Sequence, residues 1–535
     1  MRKSFHFTFF SCLLLVGCEN NLTEPLQSAS HVYIEGSPEI KSFSKELWSV
    51  TVDTTIQDLS LLTYKKDRPI EFNPLQTFAH TYTNIEGVLT FRGNHTRTAP
   101  SYGTISSPPK SLEKAWEFQT SYSPDWGGGA GWTGQPALIK WEDDVKQIMN
   151  LKEEFKAKED FVEVIYASLD GHIYFFDLET GVQSRSPLTI NNPIKGSVSI
   201  DPRGYPLLYV GQGIPQTGHH EIGYRIFSLI DGSLLHFIKG SDGFAYRSWG
   251  AFDGAPLINK DTDSMFIGGE NGIFYSTLLN TRFDQEAATI SVQPETIKYR
   301  YKINGNPSQG IENSVAAYKN LLYFADNGGS IQALDLRSME PIWALPATDD
   351  TDASIVVEET NNVPFLYTGT EVDKQGTRGN SMLRKINGLT GEVVWHKDIP
   401  ALSQLGARPV NGGLLATPII GSNSISNIVI FTICRYQSME RGIMLALDKE
   451  TGEEVWSFDM PHYAWSSPVP IYTDQGEAFI VQSDSVGNIY IINGSNGEVM
   501  DTTNFNSNIE ASPAIYNNMM VVANRGGQIG AFYIR

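Results

Sequence analysis

From residue 114 onward the apolar positions fall into short runs of period two, and the runs recur in a fixed order. Each unit opens on small residues, often with Pro: Gly134-Gln135-Pro136-Ala137, Gly254-Ala255-Pro256-Leu257, Ala416-Thr417-Pro418-Ile419, Ser466-Ser467-Pro468-Val469 and Ala511-Ser512-Pro513-Ala514, with weaker forms at Gly196, Asn313 and Ala353. An apolar strand ending in small residues follows, as in Ile165-Tyr166-Ala167-Ser168 and Leu322-Tyr323-Phe324-Ala325. A Gly-led strand comes third, and its glycines are Gly171, Gly223, Gly272, Gly329, Gly379, Gly442, Gly487 and Gly527. That strand runs into a turn such as Asp177 to Gly181, Asn387 to Gly391 or Asp448 to Gly452, in which Asp or Asn accepts from its own turn and Gly takes the left-handed position. A fourth strand carries Trp395 or Trp456 four residues past that Gly, and Trp343 in the variant unit. These indoles are expected to pack between neighbouring units. Period-two strands without amphipathic helices exclude a helical solenoid. Eight units of about fifty residues predict an all-β fold, an eight-bladed β-propeller of four-stranded antiparallel blades over residues 114–535.

The last unit has no fourth strand after residues 528–534, and the first Trp-bearing strand, around Trp116 in 114–119, has no partners before it. The two are therefore expected to pair and close the ring. Residues 41–113, with Phe91-Arg92-Gly93-Asn94-His95-Thr96-Arg97, read as an arm packed on the propeller. Residues 18–40 are polar and aperiodic and read as a tether. Before them, Arg2 and Lys3 precede a short apolar stretch, Phe5 to Val16, too short for a permanent membrane span and typical of a signal peptide over 1–17. It ends in Leu15-Val16-Gly17-Cys18, which resembles the bacterial lipobox; the resemblance implies lipidation of Cys18 and an envelope protein anchored, by expectation, in the outer membrane.

Charge and cysteines narrow the function. The formal net charge is −20, and nucleic acid is excluded as a partner because backbone binding needs a basic face. With Cys12 in the signal segment and Cys18 lipidated, Cys434 has no partner, so no internal disulfide is expected. His219-His220 has no spaced third ligand, and no metal site is assigned there.

The stretch Ala446-Leu447-Asp448-Lys449-Glu450-Thr451-Gly452-Glu453-Glu454-Val455-Trp456, with the small-Pro starts and aromatic-small strands, resembles the pyrroloquinoline-quinone (PQQ) repeat propellers. That family implies two functions. Quinoprotein alcohol dehydrogenases hold PQQ and Ca²⁺ in the channel; BamB-like lipoproteins keep the propeller, bind no quinone and act as scaffolds in outer-membrane protein assembly. Dehydrogenases carry adjacent cysteines beside the quinone, and haem-linked members carry C-x-x-C-H. This sequence has neither. The expectation is a non-enzymatic binding or scaffold lipoprotein without cofactor, with the β-barrel assembly machinery as candidate partner. The alternatives are a PQQ- and Ca²⁺-dependent alcohol dehydrogenase-like oxidoreductase and a carbohydrate-binding propeller.

Loops entering each first strand and loops between second and third strands share one face of a four-stranded meander. On that face lie Asp125, Trp126, Trp132, Trp249, Asp253, Glu312, Asp350, Asp352, Trp465 and Glu510, with Arg435 and Arg525 as counter-charges. Trp and Arg are common binding anchors, and grouped carboxylates suit Ca²⁺. The opposing expectation is that the indoles plug the channel and the acids are merely solvated.

Overall fold

A computed structural model describes residues 59–535 apart from residue 133 and residues 214–220, with three short strands nearer the N-terminus, Glu24–Pro25, Val32–Ile34 and Val50–Val52. The signal segment 1–17, Cys18 and the pair His219-His220 lie outside the described residues. Part of the stretch read as an aperiodic tether is in strands: Glu24–Pro25 pairs antiparallel with Thr63–Tyr64, and Val32–Ile34 with Val50–Val52. Among the described residues no helix is long and apolar enough to cross a membrane.

Eight sheets, each built on four antiparallel strands, form a ring. Blade 1 spans Ala137–Thr189, blade 2 Ser199–Lys239, blade 3 Leu257–Ile303, blade 4 Ala316–Ala344, blade 5 Val356–Ala401, blade 6 Ile419–Met460 and blade 7 Val469–Asn504. Blade 8 combines Ala514–Ile534 with Leu112–Gln119, and Trp116 pairs with Ala531. The chain thus closes the ring with strands from both ends of the repeat region, which removes two open sheet edges. Two short helices, Asp143–Ile148 and Glu153–Lys156, sit in the first connection of blade 1. The repeat pattern gave no sign of them, because they bury only Val145, Lys146 and Phe155 in a local insertion.

The core lies in the wedges between blades. Trp343 and Tyr323 of blade 4, for example, pack with Leu366 and Ile386 of blade 5. Four outer-strand indoles lock neighbouring blades in the same way. Trp116, Trp343, Trp395 and Trp456 lie over Gly181, Gly391, Gly452 and Gly497 of the next blade's turn, where a Cβ would come within 3.0 Å of the ring. Each Nε1 donates to a carbonyl of that turn, at Leu178 (2.7 Å), Gly388 (2.8 Å), Lys449 (3.0 Å) and Gly494 (2.9 Å).

The hydroxyl residues of the small-Pro motif hydrogen-bond from blade to blade around the axis. The backbone N–H of Ala255 donates to Ser314 Oγ, Ser314 to Ser354 Oγ, Ser354 to Thr417 Oγ1, Thr417 to Ser467 Oγ, and Ser467 to Ser512 Oγ, all within 2.8–3.2 Å. Ser512 N–H donates to the Gly134 carbonyl and Gln135 N–H to Ser197 Oγ. Small residues recur here because a larger side chain would break this closely spaced ring.

The arm closes one end of the channel. Arg92 and Arg97 are fully buried at 1% and 0% exposure. Arg92 donates to the carbonyls of Pro468 and Pro418; Arg97 donates to those of Val315, Phe91 and Ala255. Carbonyls from blades 3, 4, 6 and 7 thus converge on two guanidiniums, whose planar forks suit several acceptors at once. Both arginines adopt left-handed backbone conformations, at φ 57° and 62°, which persist only where surroundings over-determine them.

Candidate binding site at the channel mouth

The opposite end of the channel is open. One repeat position supplies nearly half of its lining: the residue just before each small-residue start. That position holds Lys195, Asp253, Glu312, Asp352, Leu415, Trp465 and Glu510 in successive blades. Six of these, all but Asp253, line a cavity of about 410 Å³ together with Trp126, Gly131, Trp132, Leu169, Asp350, Asn411 and Arg525. Trp132 is buried at 8% exposure, whereas Trp126 and Trp465 are half-buried, so the indoles form walls and the cavity remains open between them.

Two trios of carboxyl groups converge here. The oxygens of Asp253, Glu270 and Glu312 lie within 4.8 Å of one another, and so do those of Asp350, Asp352 and Glu371. Lys195 serves the first trio, contacting Asp253 and lying 3.3 Å from Glu312. Its Nζ also stands 6.0 Å from the centre of the Trp132 ring. Burial alone would lower the Lys195 pKa, but Asp253, Glu312 and Glu270 together raise it well above the ordinary value. The second trio is set by backbone. The Glu371 N–H donates to the Asp350 carbonyl at 2.7 Å, and the two-residue strand Glu371–Val372 pairs with Gly412–Gly413. Gly413 has φ +87°, and a Cβ there would sit 2.8 Å from the Glu371 backbone. Glu371 Oε2 accepts from Asn411 Nδ2 at 2.9 Å.

These carboxyls are under-satisfied. Among the described residues, Asp253 Oδ1, Glu270 Oε1, Asp350 Oδ1, Asp352 Oδ1 and Glu371 Oε1 are buried with no hydrogen-bond donor against them. Burial, then mutual repulsion, pushes Asp350 and Glu371 well above the usual carboxylate range and Asp352 up to about 7. Glu270 rises for the same reasons, and Asp253 rises chiefly through burial. A trio of oxygens that lacks donors and repels itself is the donor set of a hard cation such as Ca²⁺, which takes oxygen ligands only. The residues present therefore fit a divalent cation, with Asp350, Asp352, Glu371 and the Asn411 side chain as its holders. None of them is specific for a quinone.

Of the residues singled out in the sequence, Trp126, Trp132, Glu312, Asp350, Asp352, Trp465, Glu510 and Arg525 are brought together around the cavity. Asp253 lies beneath it against Lys195. Glu510 and Arg525 pair at 3.6 Å, and burial still raises the Glu510 pKa. Arg435 is a brace: it donates to the Asn411 and Met439 carbonyls and stacks 4.0 Å over Tyr463. Two residues stand apart from the cavity lining. Asp125 is exposed at the tip of a tight loop closed by the reciprocal bonds of Ser123 and Gly127. Trp249 is 40% exposed, because Gly240 and Gly250 touch backbone to backbone and pinch residues 241–249 off as an outward loop. Sequence reading missed Lys195 and Leu415, although the repeat position that supplies Glu312 and Trp465 also supplies them. It also missed Glu270, in the same loop class as Arg525, and Glu371 and Asn411, which sit in an insertion outside the repeat.

Residues 440–534 match a PQQ-type repeat model described as outer membrane protein assembly factor BamB. Residues 440–534 thus carry PQQ-type repeats, within a chain that is an eight-bladed β-propeller throughout. In overall shape this propeller is similar to quinohemoprotein alcohol dehydrogenase from Comamonas testosteroni, with 12% identity over 85% of this chain and 81% of that one and a TM-score of 0.58. It is also similar to quinohemoprotein alcohol dehydrogenase ADHIIG from Pseudomonas putida HK5, with 13% identity over 84% and 80% and a TM-score of 0.55. BamB from Moraxella catarrhalis aligns with 14% identity over 78% of this chain and all of that one, at a TM-score of 0.46. No curated protein matches the propeller in sequence. At these identities the likeness to the two dehydrogenases establishes the fold alone.

Proposed function

We propose that this propeller is a non-enzymatic binding protein of the bacterial envelope, tethered through Cys18, that engages a partner at its channel mouth over a divalent cation. The supporting observation is the open, indole-walled cavity floored by buried carboxyl oxygens without donors. An unfilled oxygen set beside a wet cavity is a cost unless something occupies it, and Trp126, Trp132 and Trp465 are the residue type that most often anchors an interface. The family model over residues 440–534 supports β-barrel assembly proteins as the partner class. The test is crosslinking in native membranes followed by purification. Wild-type protein is expected to bring down β-barrel assembly components in Ca²⁺ and to lose them in chelator. The double variant Asp350→Asn/Asp352→Asn is expected to lose them in both. Equal recovery by wild type and variant would remove the mouth from the interface. Loss of membrane association in Cys18→Ala checks the anchor.

The oxidoreductase alternative keeps one observation in its favour, the cation-type donor set in the channel. Titration with PQQ and Ca²⁺, followed by reduction of an artificial electron acceptor with a panel of alcohols, separates the readings. Turnover would replace the scaffold reading with the enzymatic one.

A further inference from the structure

A second cavity, of about 540 Å³, opens at the other end of the ring, between the arm and the exits of the inner strands of blades 4 to 7. What it accepts can be read from the repeat. Counting each small-residue start as the first position, the fifth residue of every inner strand turns its N–H toward the axis, where the arm lies. In blades 2, 4, 5 and 8 that donor is Ile200, Ala317, Val357 and Ile515, and each donates to an arm carbonyl: Leu89 (2.7 Å), His95 (2.7 Å), Thr96 (2.9 Å) and Pro100 (3.4 Å). In blade 1 the equivalent Leu138 pairs with Val88 in a short ladder. In blade 3 Ile258 donates to Tyr82 Oη at 3.2 Å. Blade 7 has Pro470, which has no N–H to place.

Blade 6 is the exception. Its fifth residue is Ile420, paired with Val429 in the register that Ala317 shares with Leu322 and Val357 with Leu366. The Ile420 N–H therefore points the same way, yet among the described residues nothing accepts from it. Among the described residues the arm hydrogen-bonds to blade 6 only through the Arg92 side chain on Pro418, then passes to blades 7 and 8. Ile420 is half-buried and lines the cavity. A second unmet polar group faces the same space. His95 is 5% exposed, its ring is stacked on Phe78, and its Nδ1 has no hydrogen-bond partner among the described residues. Burial pushes its pKa down to about 3, so it stays neutral. Tyr318, Val357, Pro470 and Tyr472 supply apolar walls, Glu358 is already engaged by Lys449, and one charge of each sign, Lys319 and Glu359, also lines the space.

We propose that this cavity binds a short, extended, uncharged peptide segment of a partner protein, which adds to the free inner edge of blade 6 and gives its Ile420 N–H the peptide carbonyl that the arm gives four other blades. The argument is equivalence: four equivalent N–H groups receive a peptide carbonyl from the arm, and the blade 6 donor faces an open space instead. Strand addition of this kind draws affinity from main-chain bonds and specificity from alternate side chains. The site is at the opposite end from the channel mouth and does not depend on the reading of that end.

Hydrogen exchange of the full-length protein tests this. The probes are a randomised set of end-blocked, uncharged pentapeptides, with an uncharged oligosaccharide as comparison. Bound peptide is expected to slow exchange of the Ile420 amide by about tenfold or more. Ile420→Pro removes the donor at a position where blade 7 already carries Pro470, and is expected to abolish binding; Ile420→Val is expected to keep it. Should no member of the set protect Ile420 at millimolar concentration in the wild-type protein, the proposal falls without reference to any variant. Equal binding by Ile420→Pro, or protection by the oligosaccharide and by no peptide, overturns it as well.

Discussion

The two ends of the channel bury opposite charges and treat them differently. At the arm end, Arg92 and Arg97 are wholly desolvated and form no ion pair among the described residues, but backbone carbonyls of four blades and of the arm accept from them, and of their nitrogens only Arg92 Nε lacks an acceptor among the described residues. Burial lowers their pKa to about 9 and about 10, so both remain charged at neutral pH. At the mouth, seven carboxyl groups gather around Lys195 and Arg525, and five of their oxygens have no donor. A buried charge with acceptors in place is a structural fastening; a buried charge without them is a site waiting for a ligand. Substitutions at the two ends should accordingly move stability in opposite directions.

The largest effect is expected at Arg97. Arg97→Ala leaves the carbonyls of Val315, Phe91 and Ala255 without a donor, and should cost on the order of 4 kcal/mol in denaturant unfolding. Arg97→Lys should recover little of it, because one ammonium cannot reach three divergent acceptors. A loss under about 1 kcal/mol would mean the plug is decorative.

Next comes the cation. Ca²⁺ at a hundredfold excess over its dissociation constant should add about 2.7 kcal/mol of stability to the wild-type protein. A melting temperature indifferent to Ca²⁺ and chelator would remove the cation from the mouth.

Asp350→Asn/Asp352→Asn should then act with the opposite sign to Arg97→Ala. In the cation-free protein these carboxyls hold protons to higher pH than in the unfolded chain. The advantage is present below the unfolded value near 4 and is lost as pH rises to about 7, the value set for Asp352. Wild-type stability without cation should therefore fall across that window. The variant should lack the fall and be more stable at pH 8 by roughly 1–3 kcal/mol. Parallel pH profiles of the two proteins would contradict this account.

The smallest effect on stability is expected at Trp465. Half-buried as a cavity wall, its replacement in Trp465→Phe should change unfolding by about 1 kcal/mol or less while weakening capture of the partner. A large loss of stability would make it a core residue.

The ring was legible because each blade repeats one alternation of apolar strands, so strand phase carries through the whole chain. Closure by Trp116 against Ala531 followed from counting strands. The same phase put Glu312, Asp352, Trp465 and Glu510 on one face, since loop class decides face in a meander. It failed wherever the chain leaves the repeat. Glu371 and Asn411 sit in an insertion of blade 5 and the connection to blade 6, and Trp249 is turned outward by two glycines in backbone contact. The arm's motif was visible as residues 91–97, but its role was not. What Arg92 and Arg97 bind is carbonyls, which every residue carries and no sequence pattern advertises.

The closing strand pair also sets a clock. Trp116 meets Ala531 across roughly 400 residues of chain, so at the usual 5–20 residues per second the first strand of blade 8 waits on the order of half a minute for the other three. During that interval Leu112–Gln119 is an unpaired strand edge bearing a large indole, while blade 1 lacks the ring that covers Gly181. A chain emerging into a crowded compartment with such an edge exposed is a natural client for a holding chaperone, and its yield should depend on how fast the last blade is delivered rather than on how well the first seven fold.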